Sequence, residues 1–475
     1  MRKKKSEQYD LVVIGCGAAG LSAAVSYCRS AAEQGRRPSV AVLERADREG
    51  RGGATRWTGS WFRITEDRRL DPQFIDQMEE VSHGMADLDY CRVLDKELTT
   101  TIEFLESNNV QVVYFKQPFP NRNTGGGLGM PNGGGVAIVD GLAGVVARTE
   151  GSEILYETEA VRLSLSEQGL VDGVIVRGRD GLLQRLGARA VVIACGGFEG
   201  NPEMLTRYLG ESACDLPLIA PTLKNNRGDG LNMALEVGGD SAGQFDMFHG
   251  EPMDVRSSKP DAVLYAFPYG IVVNRHGRRF FDEGKDSFDA TFEEFAFEIF
   301  RHQEQEAYFI GDQTTLGIPN VQEIILTDQP PLTANTLADL AGQLGLDAQA
   351  LEATVAEYNA AAGPEEFNPL VRDGKAARGL EVAKSNWCFP IESPPYIAYP
   401  LTCAITFTFG GVRTDSRARV ISPAGTVIPG LYAAGEVTGL YYHSYPVGTS
   451  VLRAATFGRL AGAHAAAEHG AQADK

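Results

Sequence analysis

The sequence predicts an α/β fold of the Rossmann-like type, in which helices pack against a parallel sheet. The first observation is a strand-like run at residues 9–14, followed by glycines, a helical stretch at 21–33 and a second strand-like run at 38–44. The second is a pair of later apolar runs, 190–194 and 430–434, each followed closely by glycine. Short β-branched runs that alternate with helical stretches are typical of parallel sheets.

Length and composition set the broad class of protein. The chain has 475 residues, of which 43% are hydrophobic and 22% charged, so we expect an ordinary globular protein of two or three domains. The formal net charge is −18, from 44 basic and 62 acidic residues. Such a negative field repels a phosphate backbone, so nucleic acid is not an expected partner.

No transmembrane segment or export signal is expected. No apolar run approaches the roughly 18 residues of a membrane-spanning helix. The basic residues 1–5 precede a polar segment and a short strand, and no apolar segment with a small-residue cleavage site follows them. We therefore predict a cytoplasmic protein with a solvated N-terminal segment.

The cysteines argue against a metal centre. No two of the seven stand in a C-x-x-C spacing, which is the usual pattern of iron–sulfur, structural zinc and c-type haem sites. We expect no metal, and an odd number of scattered cysteines fits a reducing compartment.

The first βαβ unit contains a dinucleotide-binding signature. Gly15, Gly17 and Gly20 form a G-x-G-x-x-G turn between the first strand and the first helix. The first glycine permits the tight turn, the second lets the backbone approach a pyrophosphate, and the third lets helix and strand pack closely. The helix N-terminus attracts the phosphates, and Glu44 can accept hydrogen bonds from a ribose. We therefore predict dinucleotide binding.

The identity of the dinucleotide depends on later segments. A second glycine- and hydroxyl-rich loop at 52–60 either lies along a pyrophosphate and flavin ring or is an ordinary turn. The short strands at 156–166 and 173–177, together with the glycine-terminated strand at 190–194, favour FAD over NAD.

Four motifs resemble one known family. They are ACGGFEGNPEM (194–204), GDGLNMALEVGG (228–239), FGGVRTD (409–415) and GLYAAGEVTG (430–439). In this order they resemble the FAD-dependent fumarate reductase/succinate dehydrogenase flavoprotein superfamily. The resemblance implies a glutathione-reductase-type FAD-binding domain split in sequence into 1–240 and 396–475, with an α+β capping domain inserted at 241–395.

The resemblance also implies which residues contact the cofactor. No histidine stands in the loop 52–60, where covalent members attach FAD, so the FAD is expected to be noncovalent. The cofactor-binding residues that it implies, with the glycine turn included, are Gly15, Gly17, Ala18, Ala19, Gly20, Glu44, Arg45, Gly53, Ala54, Thr55, Thr58, Gly59, Val161, Ala194, Gly196, Gly197, Asp229, Gly435, Glu436, Ser450, Val451 and Leu452.

In this family a flavin exchanges a hydride at N5 while a protein acid/base handles the adjacent proton. Fumarate reductases use two arginines, and their positions fall here on Ser287 and Pro446. Both departures argue against fumarate reduction. The stretch 441–453 looks most like tricarballylate dehydrogenases, while its Tyr-Pro pair also resembles 3-ketosteroid Δ1-dehydrogenases.

Four residues are therefore candidates for the chemistry. Tyr445 corresponds to a carbonyl-polarising tyrosine, and His249 to a histidine that binds a substrate carboxylate. His443 would line the flavin or the substrate. Arg453 would pair with a carboxylate, contact the flavin C2 carbonyl or make a structural ion pair. Which of them is the acid/base stays open.

The resulting function is α,β-dehydrogenation, or the reverse reduction, of a C–C bond next to a carboxylate or carbonyl. A small polycarboxylate is the first substrate class. A cyclic ketone is the second, in an apolar cleft that Trp61, Phe115, Phe119 and Phe407 could form. A non-catalytic flavin-binding assembly or sensor protein is the third hypothesis. Without a second dinucleotide fingerprint, electrons are expected to pass to a quinone-linked partner, a carrier protein or oxygen.

Three local expectations concern the remaining segments. Residues 292–303 and 337–361 are predicted as helical stretches of the capping domain. The glycine-rich segment 125–135 is either a loop near flavin and substrate or a surface loop. The basic run at 275–279 is predicted as a solvated turn after a strand at 269–274.

Overall fold

A computed structural model describes residues 8–122 and 127–473. The basic segment 1–5 and the glycines 125 and 126 lie outside the described residues. The strands are β1 (Gln8–Ile14), β2 (Val40–Leu43), β3 (Val112–Lys116), β4 (Gly127–Pro131), β5 (Ser152–Leu155), β6 (Glu159–Leu165), β7 (Val171–Arg177), β8 (Leu183–Ile193), β9 (Ser241–Ala242), β10 (Phe248–Asp254), β11 (Ile271–Asn274), β12 (Ala307–Gly311), β13 (Leu332–Ala334), β14 (Tyr396–Thr408), β15 (Gly411–Val412), β16 (Arg419–Ile421) and β17 (Val427–Ala433). The helices are α1 (Ala18–Glu33), α2 (Gly53–Trp57), α3 (Phe74–Val81), α4 (Leu88–Ser107), α5 (Gly135–Arg148), α6 (Pro202–Leu209), α7 (Asp229–Glu236), α8 (Phe288–His302), α9 (Gln313–Leu316), α10 (Leu337–Leu344), α11 (Ala348–Ala360) and α12 (Ser450–Ala473).

The main sheet has the strand order β16-β17-β8-β1-β2-β5, and β7 joins β6 to the edge of β8. The pairs β1/β2, β1/β8, β17/β8 and β2/β5 are parallel, as the βαβ pattern predicts. Leu11, Val12 and Val13 of β1 are fully buried, because helices cover a parallel sheet on both faces. The Rossmann-like prediction is confirmed, and the sheet joins the first half of the chain to its C-terminal part.

Small residues let α1 and α12 pack closely against each other. A methyl group added at Gly458 would lie 2.1 Å from the carbonyl oxygen of Ala19, and one at Gly462 would lie 2.1 Å from that of Ala23. Neither substitution fits without moving backbone. The contact fixes the N-terminus of α12 beside the glycine turn that precedes α1.

The second sheet is antiparallel and has the order β10-β14-β12-β11, with β13 also paired to β14. Its strands come from both sides of the predicted boundary at 395/396, since β14 pairs with three strands of the segment 241–395. In the β10/β14 register His249 lies opposite Phe407.

Several local expectations need correction. The predicted helical stretch 337–361 is divided into α10 and α11 by Gly345, whose φ of 72° ends the first helix. The segment 127–131 is strand β4, paired with β3, and not a loop. The basic run is not wholly solvated, because the Arg279 side chain is 6% exposed and pairs with the buried Glu283.

The described residues contain neither a membrane-spanning helix nor a cluster of metal-binding side chains. No helix within residues 8–122 and 127–473 is long and apolar enough to cross a membrane. No group of three or more His, Cys, Asp or Glu side chains in the same ranges could hold a metal ion.

Candidate active site

A long cleft lies between the C-terminal ends of the main-sheet strands and the second sheet. Its empty volume, including the open mouth, is about 1510 Å³. The cleft is lined by the glycine turn, the end of β2, α2, the segment around the 3-10 turn Pro221–Asn225, the strands β10 and β14, and the start of α12. Open α/β sheets bind ligands at this edge. The glycine turn and the second sheet therefore share one cleft, which is the candidate ligand site.

The glycine turn at one end of the cleft has the geometry predicted for it. Gly15 has a φ of +109°, and a methyl group there would lie 2.3 Å from the carbonyl oxygen of Ala194. A methyl group at Gly20 would lie 2.0 Å from the carbonyl oxygen of Gly15. Gly17, the N-cap residue of α1, has no side chain to cap the helix, and the Ala18 nitrogen donates to Thr55 Oγ1 at 3.1 Å. The other backbone N–H groups of the first turn can meet an anion in the cleft.

Glu44 and Arg45 line the cleft next to this turn. Glu44 accepts hydrogen bonds from the backbone nitrogens of Ala46 at 2.9 Å and Gly52 at 3.3 Å. Burial raises the pKa of Glu44, and these hydrogen bonds oppose the shift. Arg45 pairs with Glu159 at 3.0 Å and with Asp229. The acid and the helix N-terminus fit the ribose and pyrophosphate of a dinucleotide, which these residues would hold.

Most of the predicted cofactor residues line this cleft, and five do not. The residues that line it are Gly15, Gly17, Ala18, Ala19, Glu44, Arg45, Gly53, Ala54, Thr55, Thr58, Ala194, Gly196, Asp229, Gly435, Glu436, Ser450 and Val451. The lining does not include Gly20, Gly59, Val161, Gly197 or Leu452. Gly197 contributes indirectly, because its N–H donates to Glu436.

Sequence reasoning missed one wall of the cleft. The residues concerned are Ile219, Ala220, Thr222, Leu223, Asn225 and Asn226. They belong to a segment without a glycine signature or regular periodicity, so no sequence signal identified them.

We call the part of the cleft that reaches the second sheet the cap end; it is lined by Trp57, Glu251, Asp261, Thr406 and Phe407. Glu251 and Asp261 form a carboxyl pair there. Burial and the neighbouring charge of Glu251 raise the pKa of Asp261 to about 8. Asp261 is therefore protonated at neutral pH and shares a hydrogen bond with Glu251. The cap end thus combines two aromatic side chains with one acidic proton.

His249 lies behind the cap end and does not line the cleft. Its Nε2 is 3.2 Å from Glu251 Oε1, and its Nδ1 is 2.7 Å from Glu293 Oε1. Burial lowers the pKa of His249, but the two carboxylates outweigh it and raise the pKa to about 10. Because both ring nitrogens have protein partners, His249 has none free for the substrate carboxylate that the family resemblance implies.

Tyr445 is buried between the cap end and α12 and, like His249, is not among the residues that line the cleft. Its ring centroid lies 5.1 Å from that of Phe407 and 4.8 Å from that of His249. The phenol oxygen accepts hydrogen bonds from the backbone nitrogens of Thr449 at 2.7 Å and Ser450 at 2.8 Å. Its own proton is thus left for an acceptor such as a carbonyl oxygen.

Arg453 and His443 have very different positions. Arg453 lines the cleft, is 2% exposed, and places its guanidinium 4.9 Å from the centre of the Tyr441 ring. Its Nη1 donates to the carbonyl oxygen of Thr438 at 3.2 Å, and its Nε has no protein partner. His443 is exposed, outside the cleft, with its ring 4.4 Å from that of His83.

The other sequence candidates are dispersed. Of the four aromatic residues proposed for an apolar cleft, Phe407 lines it. Trp61 and Phe115 pack edge to face on each other, with centroids 5.5 Å apart, and Phe119 packs on Tyr269. Ser287, at the first arginine position, is buried at the start of α8, and its hydroxyl accepts a bond from a backbone nitrogen.

Comparison with known proteins agrees with this architecture. The model of the FAD binding domain family matches residues 10–452. The chain belongs to this family. It is an FAD-dependent oxidoreductase of the fumarate reductase/succinate dehydrogenase flavoprotein superfamily.

Three similar proteins illustrate the breadth of the superfamily. The chain is 28% identical to "Fumarate reductase (cytochrome)" of Shewanella frigidimarina, over 96% of this chain and 77% of that protein. It is 27% identical to "4-oxocyclohexanecarboxylate 2-dehydrogenase" of Sinomonas cyclohexanicum, over 96% of this chain and 92% of that protein. The solved structure of a 3-ketosteroid-delta4-(5alpha)-dehydrogenase from Rhodococcus jostii is 25% identical, with a TM-score of 0.70 and 98% of each chain covered.

Proposed function

We propose that this flavoprotein introduces a C=C bond next to the carbonyl group of a small cyclic ketone. The observation that supports this substrate class is the cap end, where Glu251 and Asp261 line the cleft together with Phe407 and Trp57. The ring of a cyclic ketone can pack on these aromatic side chains. A polycarboxylate, which is the first substrate class that the sequence suggests, would meet carboxyl groups there.

Glu251 and Tyr445 have different proposed roles, one as a base and the other as a hydrogen-bond donor. When bound, the flavin accepts the hydride that leaves the substrate. Glu251 is the proposed base for the neighbouring C–H proton, since Asp261 already holds a proton and cannot accept another. The Tyr445 hydroxyl is the proposed donor to the carbonyl oxygen, because the N-terminus of α12 holds that hydroxyl in place.

The relatives support a ketone. One of the similar proteins is named for an oxocyclohexane substrate and another for a ketosteroid. Both lie at or above 25% identity and are matched over nearly their whole length. Ser287 and Pro446 stand at the positions where the family resemblance places the two arginines of fumarate reductases.

A polycarboxylate is the second candidate, and Arg453 favours it. This buried cation lines the cleft with an unpartnered Nε, and a guanidinium binds carboxylates well. Buried polar groups in proteins normally have hydrogen-bond partners. A ligand carboxylate or the flavin C2 carbonyl would complete the hydrogen bonds of the Arg453 guanidinium. We also propose a cytoplasmic location and a quinone-linked partner, carrier protein or oxygen as the electron acceptor.

An anaerobic titration tests the proposal. The oxidised flavin absorbance of the purified holoprotein is followed as 4-oxocyclohexanecarboxylate, a 3-ketosteroid or tricarballylate is added. We expect a ketone to bleach the flavin, with recovery of the α,β-unsaturated product, and tricarballylate to leave it oxidised. Glu251→Gln should slow bleaching by about 10²-fold or more, the usual contribution of a general base. Glu298→Gln, on the outer side of α8, is the matched control.

Other outcomes would select a different function. Bleaching by tricarballylate alone would establish the polycarboxylate and overturn the ketone. No bleaching by any donor, with rapid reoxidation of reduced protein by an enone, would give a reductase of the same substrate class. No reaction in either direction would favour a non-catalytic flavin-binding protein.

A further inference from the structure

One buried cation in the cleft lacks a carboxylate partner among the described residues. Arg453 lines the cleft and is 2% exposed. Its Nη1 donates to the carbonyl oxygen of Thr438 at 3.2 Å, and its guanidinium lies 4.9 Å from the centre of the Tyr441 ring. Within residues 8–122 and 127–473, its Nε has no hydrogen-bond partner and its guanidinium forms no ion pair. The protein therefore holds a positive charge here without a direct counter-charge.

A guanidinium in this position needs compensation from a molecule in the cleft. Taking an ion out of water is costly unless an opposite charge or hydrogen bonds replace its hydration, and a guanidinium does not lose its proton to avoid this cost. Glu436 also lines the cleft and attracts Arg453. Its carboxyl group, however, accepts from the backbone nitrogen of Thr408 at 3.1 Å and shares a hydrogen bond with Glu199. A negative charge on a bound molecule would complete the balance.

Arg453 lies between the two ends of the cleft. On one side is the glycine turn, because a methyl group at Gly435 would lie 3.0 Å from the Cβ of Ala19 in α1 and 3.6 Å from the Cβ of the residue that follows Arg453. On the other side is the cap end, because the Tyr441 ring that Arg453 faces has its centroid 5.9 Å from that of Phe407. A dinucleotide with its phosphates at the glycine turn therefore passes Arg453 on the way to the cap end.

Reduction of the cofactor supplies a negative charge of this kind. A hydride adds two electrons and one proton to the neutral oxidised ring, so the ring carries one negative charge until it binds a second proton. A fixed cation in a buried part of the cleft favours the charged form, since opposite charges attract more strongly where the dielectric constant is low. The positive end of the α12 dipole acts in the same direction, because Arg453 stands in the first turn of that helix. The other titratable groups that act on Arg453 are the phenols of Tyr90, Tyr441 and Tyr445.

We propose that Arg453 is the counter-charge of the reduced flavin ring and thereby raises the reduction potential of the bound FAD. This role explains why a buried guanidinium lines the cleft without a carboxylate partner in the described part of the chain. It makes the flavin, and not a substrate carboxylate, the partner of Arg453. Because it concerns the cofactor alone, it applies equally to a ketone and a polycarboxylate, and to either direction of the reaction.

The decisive variant is Arg453→Gln. The amide keeps an N–H donor for the Thr438 carbonyl oxygen but removes the charge. Arg459→Gln is the matched control, because Arg459 stands on the same helix, pairs with Glu97 and does not line the cleft. Arg453→Lys keeps a positive charge without the planar guanidinium, so it separates the effect of charge from that of shape.

The first readout is the reduction potential of the bound FAD, and it needs no substrate. Each FAD-loaded protein is reduced slowly without oxygen in the presence of a reference dye of known potential, and the absorbances of flavin and dye are compared at equilibrium. Repeating the titration at several pH values gives the second readout, which is the number of protons taken up with two electrons. One proton corresponds to a negatively charged reduced ring, and two protons correspond to a neutral one.

We expect Arg453→Gln to weaken the preference for reduced over oxidised FAD by about tenfold or more, which lowers the potential of a two-electron couple by about 30 mV or more. Proton uptake should rise from one toward two, since the unbalanced ring binds a second proton. Arg453→Lys should lose less, and Arg459→Gln should match the original protein. An unchanged potential in Arg453→Gln, or an equal drop in Arg459→Gln, would overturn the proposal. If Arg453→Gln does not retain FAD, Arg453→Met replaces it with the same expectation.

A substrate titration separates the two partners open to Arg453. An unchanged potential, together with a KM for tricarballylate that rises about tenfold or more in Arg453→Gln, would assign Arg453 to a substrate carboxylate and overturn the proposal. A lowered potential in substrate-free protein supports it whichever donor bleaches the flavin. The failure of the ketone as a substrate would therefore leave this inference intact, and an unchanged potential would leave the ketone intact.

Discussion

The phenol oxygen of Tyr445 lies 2.8 Å from the backbone nitrogen of Ser450, the first residue of α12. The side chain therefore caps the helix whose N-terminus lines the cofactor cleft. A hydroxyl that accepts from two backbone N–H groups is polarised toward donating its own proton, because hydrogen bonds in a chain strengthen one another. This relationship links the position of a cofactor-binding helix to the group proposed to act on the substrate carbonyl.

Replacing Tyr445 with phenylalanine should separate these two roles. Without the hydroxyl, turnover of a ketone substrate is expected to fall about 10²-fold or more, as when an oxyanion donor is removed. Two helix N–H groups also lose their acceptor, which should lower the free energy of unfolding by about 1–3 kcal/mol. Flavin content and steady-state kinetics are measured together on the same preparation.

Tyr441→Phe is the matched control for that variant. The Tyr441 hydroxyl contacts the Thr449 hydroxyl at 3.1 Å but no helix N–H group. Its loss should leave turnover within a fewfold of the original. Equal kinetics for Tyr445→Phe and the unchanged protein would remove Tyr445 from the mechanism.

A second carboxyl pair, Glu199 and Glu436, predicts a pH effect on stability. Burial, and then the charge of Glu436, raises the pKa of Glu199, which is 1% exposed. A raised pKa in the folded state means that folding binds a proton, so this contribution to stability is present at low pH. It is lost as pH rises from the ordinary range of a glutamate toward the raised value. Glu199→Gln keeps the hydrogen bonds with Asn226 and Glu436 and needs no bound proton to make them.

We therefore expect Glu199→Gln to gain thermal stability relative to the original protein at pH 8 but not at pH 5. A tenfold change in a protonation equilibrium corresponds to about 1.4 kcal/mol, so the difference should be measurable. Melting curves of the FAD-loaded proteins across this range test it. Glu203→Gln, on exposed α6, should show no pH-dependent gain. A gain independent of pH would mean that the pair does not share a proton.

The cofactor half of the fold could be predicted because its signals are contiguous. The strand, the glycine turn, the helix and Glu44 follow one another in sequence, and Gly15 and Gly20 each answer a steric demand that the structure shows. The division of the helical stretch at Gly345 could also have been predicted. A glycine followed by Asp347, which caps α11, is a stop and start signal in sequence.

The cap end could not be predicted from local patterns. Glu251, Asp261 and Phe407 come from β10, a following loop and β14, and the pairing of the two strands brings them together. His249 was singled out in sequence, but its partner Glu293 lies on a helix far along the chain. Contacts of this kind depend on tertiary packing, which one sequence does not display.

The turn after β11 gives a last prediction, because it contains two arginines in opposite environments. Arg279 donates to the fully buried carboxylate of Glu283, with Nη2 2.6 Å from Oε2, while Arg275 pairs with the exposed Glu304 at 2.7 Å. Lys384 Nζ is also 3.7 Å from Glu283. Glu283→Gln removes the negative charge that faces the buried cations Arg279 and Lys384. It should lower the free energy of unfolding by about 3–5 kcal/mol. Glu304→Gln removes the solvent-exposed carboxylate that pairs with Arg275 and should cost about 0–1 kcal/mol. Denaturant unfolding of both variants measures the difference, and equal losses would show that burial does not decide the strength of these pairs.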